Sequence, residues 1–318
     1  MDTKIVYVLC STESDVYFEQ FLLSLTSLGI HDPDCDVEVV TDGETYRRLQ
    51  AMGEILPERV SLKYVDIPEK GRDGFYNSRW IKTNLRQIVS GDFLYIDTDT
   101  VIARPLSGID NIDADIAAVI DGNGQSRFVD RGERKKLDDA GMHGLGEGPY
   151  FNGGVFLVRD TAASHAFFST WHSSWQKMVD AGARLYDQAS LFKTNLESGQ
   201  LIRELPGEWN VQTCHDAAAH YFKEAKVIHY YAALHTFDQI IIEHIKDNGG
   251  RLDAIARDLA SGPLRNGIDI YRQKSFKGRL LYPYSELLYR LKNHPRLYLS
   301  VLHFVNDFAN MLSRFIRF

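Results

Sequence analysis

Apolar positions in the first two thirds of the chain alternate between short continuous runs and segments with helical spacing. The runs, such as "KIVYVLC" at 4–10 and "FLYI" at 93–96, are rich in β-branched and aromatic residues and predict buried strands. Apolar residues that recur every three or four positions predict the intervening helices. The predicted strands are 4–10, 36–41, 61–66, 93–96, 116–120 and 154–158, and the predicted helices are 17–28, 44–51, 79–89 and 161–179.

This alternation predicts an α/β fold, with a mostly parallel sheet covered by helices on both faces. Ligands of such folds bind beyond the carboxyl ends of the strands. The glycine-rich, charged segment 121–150 interrupts the pattern and predicts a long loop, of the kind that acts as a lid or a binding loop. Trp171 and Trp175 lie one turn apart in a predicted helix, and we expect them to pack in the core.

Helical spacing continues at 237–246 and 252–259, so we expect a first domain over 1–237 and a helical C-terminal extension over 238–318. The extension ends in an apolar stripe at helical spacing. Such a stripe either packs on its own domain or lies on a membrane surface. Its members are Leu297, Val301, Phe304, Val305, Phe308, Met311, Leu312 and Phe315.

Charge separates this extension from the rest of the chain. The net charge is −7, yet the segment from Leu264 onward carries ten Lys and Arg against three Asp and Glu, which is +7 and leaves −14 for the preceding residues. An acidic body disfavours general nucleic-acid binding, because a phosphate backbone requires a basic surface. The basic tail favours an anionic membrane surface.

Composition indicates a folded globular protein, since 44% of the 318 residues are hydrophobic and 25% are charged. The first apolar run is too short for a signal peptide or a membrane span, so we expect a cytoplasmic protein. The three cysteines, Cys10, Cys35 and Cys214, are widely spaced, which argues against a disulfide framework or a zinc cluster. We expect buried free thiols.

The sequence "DTD" directly follows the strand "FLYI", so Asp97 and Asp99 are predicted to leave the sheet at its carboxyl edge. Two hard oxygen ligands this close can hold Mn²⁺ or Mg²⁺, which neutralises a diphosphate and assists its departure. The alternative is an ordinary turn with two solvated carboxylates, which binds no metal and takes no part in catalysis.

"DTDTV" also fits a phosphohydrolase motif, in which the first Asp is the nucleophile and the second a general acid. That motif normally closes the first strand of its fold, whereas three strand and helix units precede it here. The phosphohydrolase interpretation is therefore the weaker one.

Three later segments carry further polar residues. "YFNGGVFLV" places Asn152, Gly153 and Gly154 at the start of a strand, where absent side chains permit close approach of a sugar or a phosphate. "YDQ" offers Asp187 and Gln188 at the start of a helix, and "VIHYY" delivers a histidine at the end of a strand-like run. Each segment taken alone also suits an ordinary structural role.

Taken together and in this order, the segments resemble the GT-A nucleotide-sugar glycosyltransferases, especially glycosyltransferase family eight and its bacterial lipopolysaccharide-type members. The resemblance covers residues 3 to about 237 and rests on "KIVYVLCSTESDVYFEQFLLSL", "FLYIDTDT", "YFNGGVFLV", "YDQ", "GEWN" and "VIHYY". It implies a GT-A (Rossmann-like) fold and transfer of a sugar, with retention of configuration, from a nucleotide-sugar such as a UDP-sugar to an acceptor hydroxyl. The implied acceptor is a carbohydrate or glycolipid in bacterial surface polysaccharide synthesis. The charge and the apolar stripe of the tail together predict a place on the inner membrane face, near a lipid-linked acceptor.

The resemblance also implies roles for individual residues. Asp97, Asp99 and His229 would be the metal ligands, and imidazole with carboxylates favours Mn²⁺ over Mg²⁺. Gln188 or Asp187 would lie beside the reacting carbon, and Arg79 or Lys82 would support the donor. The other implied donor contacts are Leu9, Cys10, Ser11, Thr12, Thr98, Asn152, Gly153, Gly154 and His235.

The late motif departs from the family pattern. It has "HYYAALHTF", with Ala232 where the family usually has Gly and His235 where it has Lys. His235 can still donate a hydrogen bond to phosphate, but its charge depends on pH near a reference pKa of about 6.5. This departure leaves open a third class, a protein that binds the nucleotide-sugar without catalysis.

Overall fold

The structure is a computed structural model that describes residues 1–52, 56–68, 73–124, 148–182, 186–213, 221–230 and 252–261. It also describes the single positions 138, 145, 215 and 218 and, in the tail, 291, 296–297, 300–301, 304, 307–308 and 311. The predicted helix 237–246, most of the predicted loop 121–150, and the residues Cys214, Ala232, His235, Val305, Leu312 and Phe315 lie outside the described residues.

The secondary structure follows the predicted alternation. The strands are β1 Lys4–Leu9, β2 Val37–Thr41, β3 Val60–Tyr64, β4 Phe93–Ile96, β5 Thr100–Ile102, β6 Ile116–Ile120, β7 Phe151–Val158, β8 Ile202–Glu204, β9 Val211–Gln212 and β10 Val227–His229. The α-helices are α1 Tyr17–His31, α2 Gly43–Ala51, α3 Gly74–Thr83, α4 Leu85–Ile88, α5 Ala162–Asp180, α6 Gln188–Glu197 and α7 Leu252–Ser261. Short 3₁₀ helices span Ser107–Asn111, Asp121–Gly124, Gly207–Trp209 and Phe222–Glu224.

The larger sheet has seven strands in the order β3-β2-β1-β4-β7-β6-β8. The pairs β1 with β2, β2 with β3, β1 with β4 and β6 with β8 are parallel, and β7 pairs antiparallel with both of its neighbours, β4 and β6. The predicted mostly parallel α/β sheet is confirmed. Because β7 runs in the opposite direction, its amino end lies beside the carboxyl end of β4, with Ile96 opposite Val155.

This pairing corrects one detail of the sequence prediction. β7 begins at Phe151, before the predicted start at 154, so Asn152, Gly153 and Gly154 lie within the strand. The Asp97 N–H donates to the carbonyl of Gly154 at 2.8 Å, which joins the two motifs through the backbone.

A second, three-stranded sheet in the order β5-β10-β9 was not predicted from the sequence. β10 is antiparallel to β5 and places His229 opposite Thr100. The Tyr230 N–H also donates to the carbonyl of Asp99 at 2.9 Å. This small sheet therefore places His229 at the edge of the larger sheet where β4 ends.

The helix before β4 also differs from its prediction. The single helix expected at 79–89 is two helices, α3 and α4, separated at Asn84. α3 begins earlier because the Asp73 carboxylate accepts a hydrogen bond from the Tyr76 N–H at 2.8 Å and caps the helix. Arg79 and Lys82 consequently lie on the last turns of α3.

Apolar residues fill both faces of the larger sheet. Trp171 and Trp175 are 1% and 0% exposed, which confirms their predicted place in the core. Cys10 and Cys35 are buried free thiols, as expected. In the C-terminal extension, Ala256 of α7 packs in a cluster with Leu23 of α1, so this helix lies against the first predicted domain.

Candidate active site

Asp97, Asp99 and His229 meet at the carboxyl end of β4. One potential ligand atom from each residue lies within 4.8 Å of the others. His229 Nε2 is 3.1 Å from an Asp99 oxygen and 3.8 Å from an Asp97 oxygen. Two carboxylates and one imidazole are a donor set that suits Mn²⁺, so the chemistry of these side chains fits the implied metal.

Exposure of the three side chains shows where a ligand can approach. The imidazole is 3% exposed, whereas the carboxylates of Asp97 and Asp99 are 27% and 18% exposed. Burial raises the pKa of Asp99, but the neighbouring His229 outweighs burial and holds that pKa below its usual value. A ligand can therefore approach the cluster from the side of its carboxylates, of which that of Asp99 is ionised, whereas the buried imidazole is shielded from solvent.

Lys82 lies between two carboxylates beside this cluster. Its Nζ is 3.3 Å from Asp97 Oδ1 and 3.2 Å from Asp187 Oδ2, and its side chain is 7% exposed. Burial opposes the charged form, but attraction to Asp187 and Asp97 prevails and raises the pKa of Lys82. Lys82 is thus a permanent cation next to the candidate metal ligands.

Arg79 lies one turn before Lys82 on α3. Its guanidinium carbon is 3.7 Å from the centroid of the Phe75 ring, and its Nε is buried without a hydrogen-bond partner among the described residues. Its positive charge helps to lower the pKa of Asp187. Of the two basic candidates, Lys82 contacts the acidic cluster directly, whereas Arg79 acts on it from a distance.

Asp187 and Gln188 occupy the start of α6. Although Asp187 precedes the helix, its carboxylate does not cap α6 and instead pairs with Lys82. Burial raises the pKa of Asp187, but the charges of Lys82 and then Arg79 outweigh burial, so that this pKa lies below its usual value. The Asp187 carbonyl accepts a hydrogen bond from Trp171 Nε1 at 3.2 Å, while Gln188 is partly exposed.

The two glycines of β7 make room for the cluster. A Cβ on Gly154 would lie 2.1 Å from Cε1 of His229 and 2.9 Å from an Asp97 oxygen. A Cβ on Gly153 would lie 3.4 Å from an Asp187 oxygen, which is ordinary contact. Asn152 is buried, and its amide donates to Asp121 at 2.9 Å rather than facing the open side of the cluster.

Hydrogen bonds to neighbouring side chains hold the residues at the end of β1, which were predicted to contact the nucleoside. Leu9 and Cys10 are buried, and burial raises the pKa of the Cys10 thiol well above its usual value. The Ser11 N–H donates to Thr45 Oγ1 at 2.9 Å, and the Thr12 N–H donates to a carboxylate oxygen of Asp15 at 2.7 Å. Thr12 is partly exposed, as is Thr98 between the two aspartates.

Sequence reasoning missed two residues that touch the candidate metal ligands. The Tyr95 hydroxyl donates to Asp97, and Asn210 Oδ1 lies 3.1 Å from His229 Nδ1. Tyr95 was detectable in principle, because residues two apart on a strand point to the same face. Asn210 belongs to the "GEWN" segment that carried part of the resemblance.

Comparison with known families agrees with this geometry. Residues 78–235 match the model of a family described as glycosyl transferase family 8. The matched segment contains Asp97, Asp99 and His229 together with the glycines of β7. The predicted resemblance to family eight is confirmed, and the match supports the predicted glycosyltransferase class. A sequence search of curated proteins finds no match.

Three solved structures are similar to this chain. Mouse xyloside xylosyltransferase 1, in its apo form, is 14% identical with a TM-score of 0.51, over 73% of this chain and 99% of that chain. WbbM, a bifunctional glycosyltransferase, is 18% identical with a TM-score of 0.49, over 72% of this chain and 46% of that chain. GlyE from Streptococcus pneumoniae is 17% identical with a TM-score of 0.46, over 85% of this chain and 63% of that chain. The likeness to the mouse enzyme fits the predicted GT-A fold, while the present chain spans under half of WbbM.

Proposed function

We propose that this chain, whose residues 78–235 resemble glycosyltransferase family 8, transfers a sugar from a nucleotide-sugar to an acceptor hydroxyl. The observation that carries the proposal is the cluster of Asp97, Asp99 and His229 at the carboxyl end of β4. Ligands of α/β sheets bind at this edge, and the cluster lies within the matched segment. A UDP-sugar is the proposed donor and a carbohydrate or glycolipid of a bacterial surface polymer the proposed acceptor.

In this proposal Asp97, Asp99 and His229 hold a divalent cation, with Mn²⁺ preferred because the donor set includes an imidazole. The bound cation supplies positive charge that favours departure of a nucleoside diphosphate. The positive charge of Arg79 adds to the attraction that the site exerts on the nucleoside diphosphate.

The Lys82 and Asp187 pair borders the proposed sugar position. Lys82 holds the Asp187 carboxylate in place at 3.2 Å, and Gly153 leaves the space beside both groups open. Asp187 and Gln188 are the proposed residues beside the reacting carbon, and retention of configuration is the proposed outcome. The hydroxyl that attacks comes from the acceptor.

The C-terminal tail is proposed to hold the protein on the inner face of an anionic membrane. Of the five described stripe residues, Leu297, Phe304, Phe308 and Met311 are 52%, 71%, 45% and 48% exposed, and Val301 is half-buried. The segment from Leu264 onward also carries ten Lys and Arg against three Asp and Glu. Among the described residues, no helix combines the length and the apolarity that crossing a bilayer would need. Basic residues beside exposed phenyl rings suit the interface of an anionic bilayer.

The proposal is tested by thermal unfolding with a panel of nucleoside diphosphates, with and without Mn²⁺. A ligand at about a hundred times its dissociation constant adds about 2.7 kcal/mol of stability. We expect metal-dependent stabilisation by one nucleotide class, lost in Asp97→Asn/Asp99→Asn and retained in Asp113→Asn. Asp113 is an exposed aspartate outside the cluster and is the matched control.

The same panel, followed by an assay of nucleotide release from the corresponding nucleotide-sugar, separates the alternatives. Stabilisation accompanied by release that requires an acceptor supports a transferase. Stabilisation that never leads to release identifies a nucleotide-sugar-binding protein without catalysis. Stabilisation by no nucleotide, combined with release of phosphate from a phosphomonoester, would establish the phosphohydrolase interpretation instead.

A further inference from the structure

We infer that Tyr95 is a positioning residue of the candidate metal site. Its hydroxyl holds one carboxylate oxygen of Asp97, so that Asp97 binds a cation through its other oxygen alone. The Tyr95 hydroxyl donates a hydrogen bond to Asp97 Oδ1. The inference rests on the proposed function only in that Asp97 is there a metal ligand, because the hydrogen bond itself belongs to the metal-free protein.

The two oxygens of Asp97 have different surroundings. Oδ2 lies 3.8 Å from His229 Nε2, and a Cβ built on Gly154 would contact both Oδ2 and the imidazole. Lys82 does not distinguish the two oxygens, since its Nζ lies 3.3 Å from Oδ1 and 3.4 Å from Oδ2. The Tyr95 hydroxyl, by contrast, contacts Oδ1 and leaves Oδ2 as the oxygen that faces the imidazole.

Packing holds the ring of Tyr95 in place. The residue is 2% exposed and lies opposite Phe156 in the pairing of β4 with β7. The two rings stack with their centroids 4.6 Å apart, and the Phe156 ring meets Trp171 of α5 edge-on at 6.0 Å. Lys82 Nζ lies 5.1 Å from the centroid of the Tyr95 ring. A ring packed in this way has little freedom to turn, so its hydroxyl stays at Asp97.

This hydrogen bond favours one mode of metal binding. A carboxylate can bind a divalent cation through one oxygen or through both. Binding through both would turn Asp97 Oδ1 away from Tyr95 and leave a buried hydroxyl without its acceptor, which is costly. Binding through Oδ2 alone leaves one more coordination position of the cation open. In the proposed function an oxygen of the diphosphate takes that position.

Tyr95→Phe tests the inference, because it removes the hydroxyl and keeps the ring. We expect the affinity for Mn²⁺, measured by calorimetry with Mn²⁺ as the only ligand, to fall about 10–100-fold. Loss of a group that orients a metal ligand typically has an effect of this size. Equal Mn²⁺ affinities of wild type and folded Tyr95→Phe would overturn the inference.

Tyr7→Phe is the matched control. Tyr7 is 0% exposed, its hydroxyl lies 2.9 Å from Ser24 Oγ, and it belongs to a different apolar cluster from Tyr95. Each variant loses one buried hydrogen bond, so we expect a similar small decrease in the urea midpoint of both. Only Tyr95→Phe should bind Mn²⁺ more weakly. An equal weakening in Tyr7→Phe would attribute the effect to lost stability and would overturn the inference.

A crystal structure of the wild-type protein with Mn²⁺ gives a readout that needs no variant. We expect one oxygen of Asp97 on the metal and the Tyr95 hydroxyl on the other oxygen. Two Asp97 oxygens on the metal would overturn the inference. Absence of Mn²⁺ binding by wild type would overturn it together with the metal of the proposed function. The expected coordination in a protein that transfers no sugar would reject only the proposed function.

Discussion

Gly154 lies directly against the imidazole of His229, such that a Cβ built on the glycine would be 2.1 Å from Cε1 of the ring. The two residues come from different sheets, β7 and β10, and Asp97 lies beside both. The absence of a side chain at position 154 is therefore a steric condition for the candidate metal site.

Gly154→Ala is expected to destroy metal binding. The new methyl group overlaps His229 and also lies 2.9 Å from an Asp97 oxygen, so both candidate ligands must move. Overpacking of this kind costs about 1–3 kcal/mol of folding free energy. Calorimetric titration with Mn²⁺ and denaturant unfolding measure the two effects.

Gly153→Ala is the matched control. Its methyl group would approach neighbouring atoms no closer than 3.4 Å, so we expect near-wild-type stability and metal affinity. If Gly154→Ala binds Mn²⁺ as wild type does, the assignment of His229 as a ligand is wrong.

Lys82→Met is expected to destabilise the protein most at neutral pH. Removal of one partner from a buried ion pair costs about 3–5 kcal/mol, because Asp187 remains ionised without its cation. In wild type the pKa of Asp187 is lowered, so its contribution is present at neutral pH and is lost only in strong acid. In the variant that pKa rises, and protonation at acidic pH relieves the penalty. Urea unfolding of both proteins from pH 7 to pH 4 should show the difference in stability shrinking.

Lys193→Met provides the control for this experiment. Lys193 pairs with Glu197 one turn away on an exposed helix surface, at 2.6 Å. Such pairs contribute about 0.2–0.5 kcal/mol, and we expect a small effect with little dependence on pH. A constant loss of stability in Lys82→Met across the same range would show that Asp187 does not depend on Lys82.

His172→Gln is expected to flatten the pH dependence of stability near neutrality. Burial lowers the pKa of His172, whose Nδ1 lies 2.8 Å from the Thr83 hydroxyl. The unfolded chain therefore binds a proton first, at a pKa of about 6.5, and wild-type stability falls as pH decreases through the lower folded pKa. Thermal unfolding from pH 8 to pH 5 measures the slope. The exposed His165 supplies a control. An equal flattening of the pH dependence in His165→Gln would show that the effect does not come from His172.

Phe304→Ser/Phe308→Ser is expected to release the protein from anionic vesicles. The two rings are 6.5 Å apart and exposed, so their replacement should leave folding unchanged. Burial of one phenyl ring is worth about 1.5–3 kcal/mol, and loss of both should weaken binding at least about tenfold. Co-sedimentation with phosphatidylglycerol vesicles measures binding, and phosphatidylcholine vesicles are the control. Equal sedimentation of wild type and variant would reject the proposed membrane contact.

The local pattern of apolar and polar residues was sufficient to predict much of the secondary structure of this protein. Apolar periodicity identified the alternating strands and helices, because burial of one face or one whole strand leaves a repeat in the sequence. Asp97 and Asp99 were found from sequence for the same reason, since they directly follow the buried strand β4. Boundaries were less exact where side-chain capping decided them, as Asp73 does for α3.

Long-range packing decided the rest. His229 is separated from Asp99 by 130 positions, and only the antiparallel pairing of β10 with β5 brings its ring within 3.1 Å of that carboxylate. The choice between Arg79 and Lys82 depended on the direction in which α3 presents each side chain to Asp187. Sequence by itself therefore determined the elements and the edge of the sheet at which the candidate site lies. Tertiary structure decided which side chains meet there, because those contacts depend on how distant segments pack.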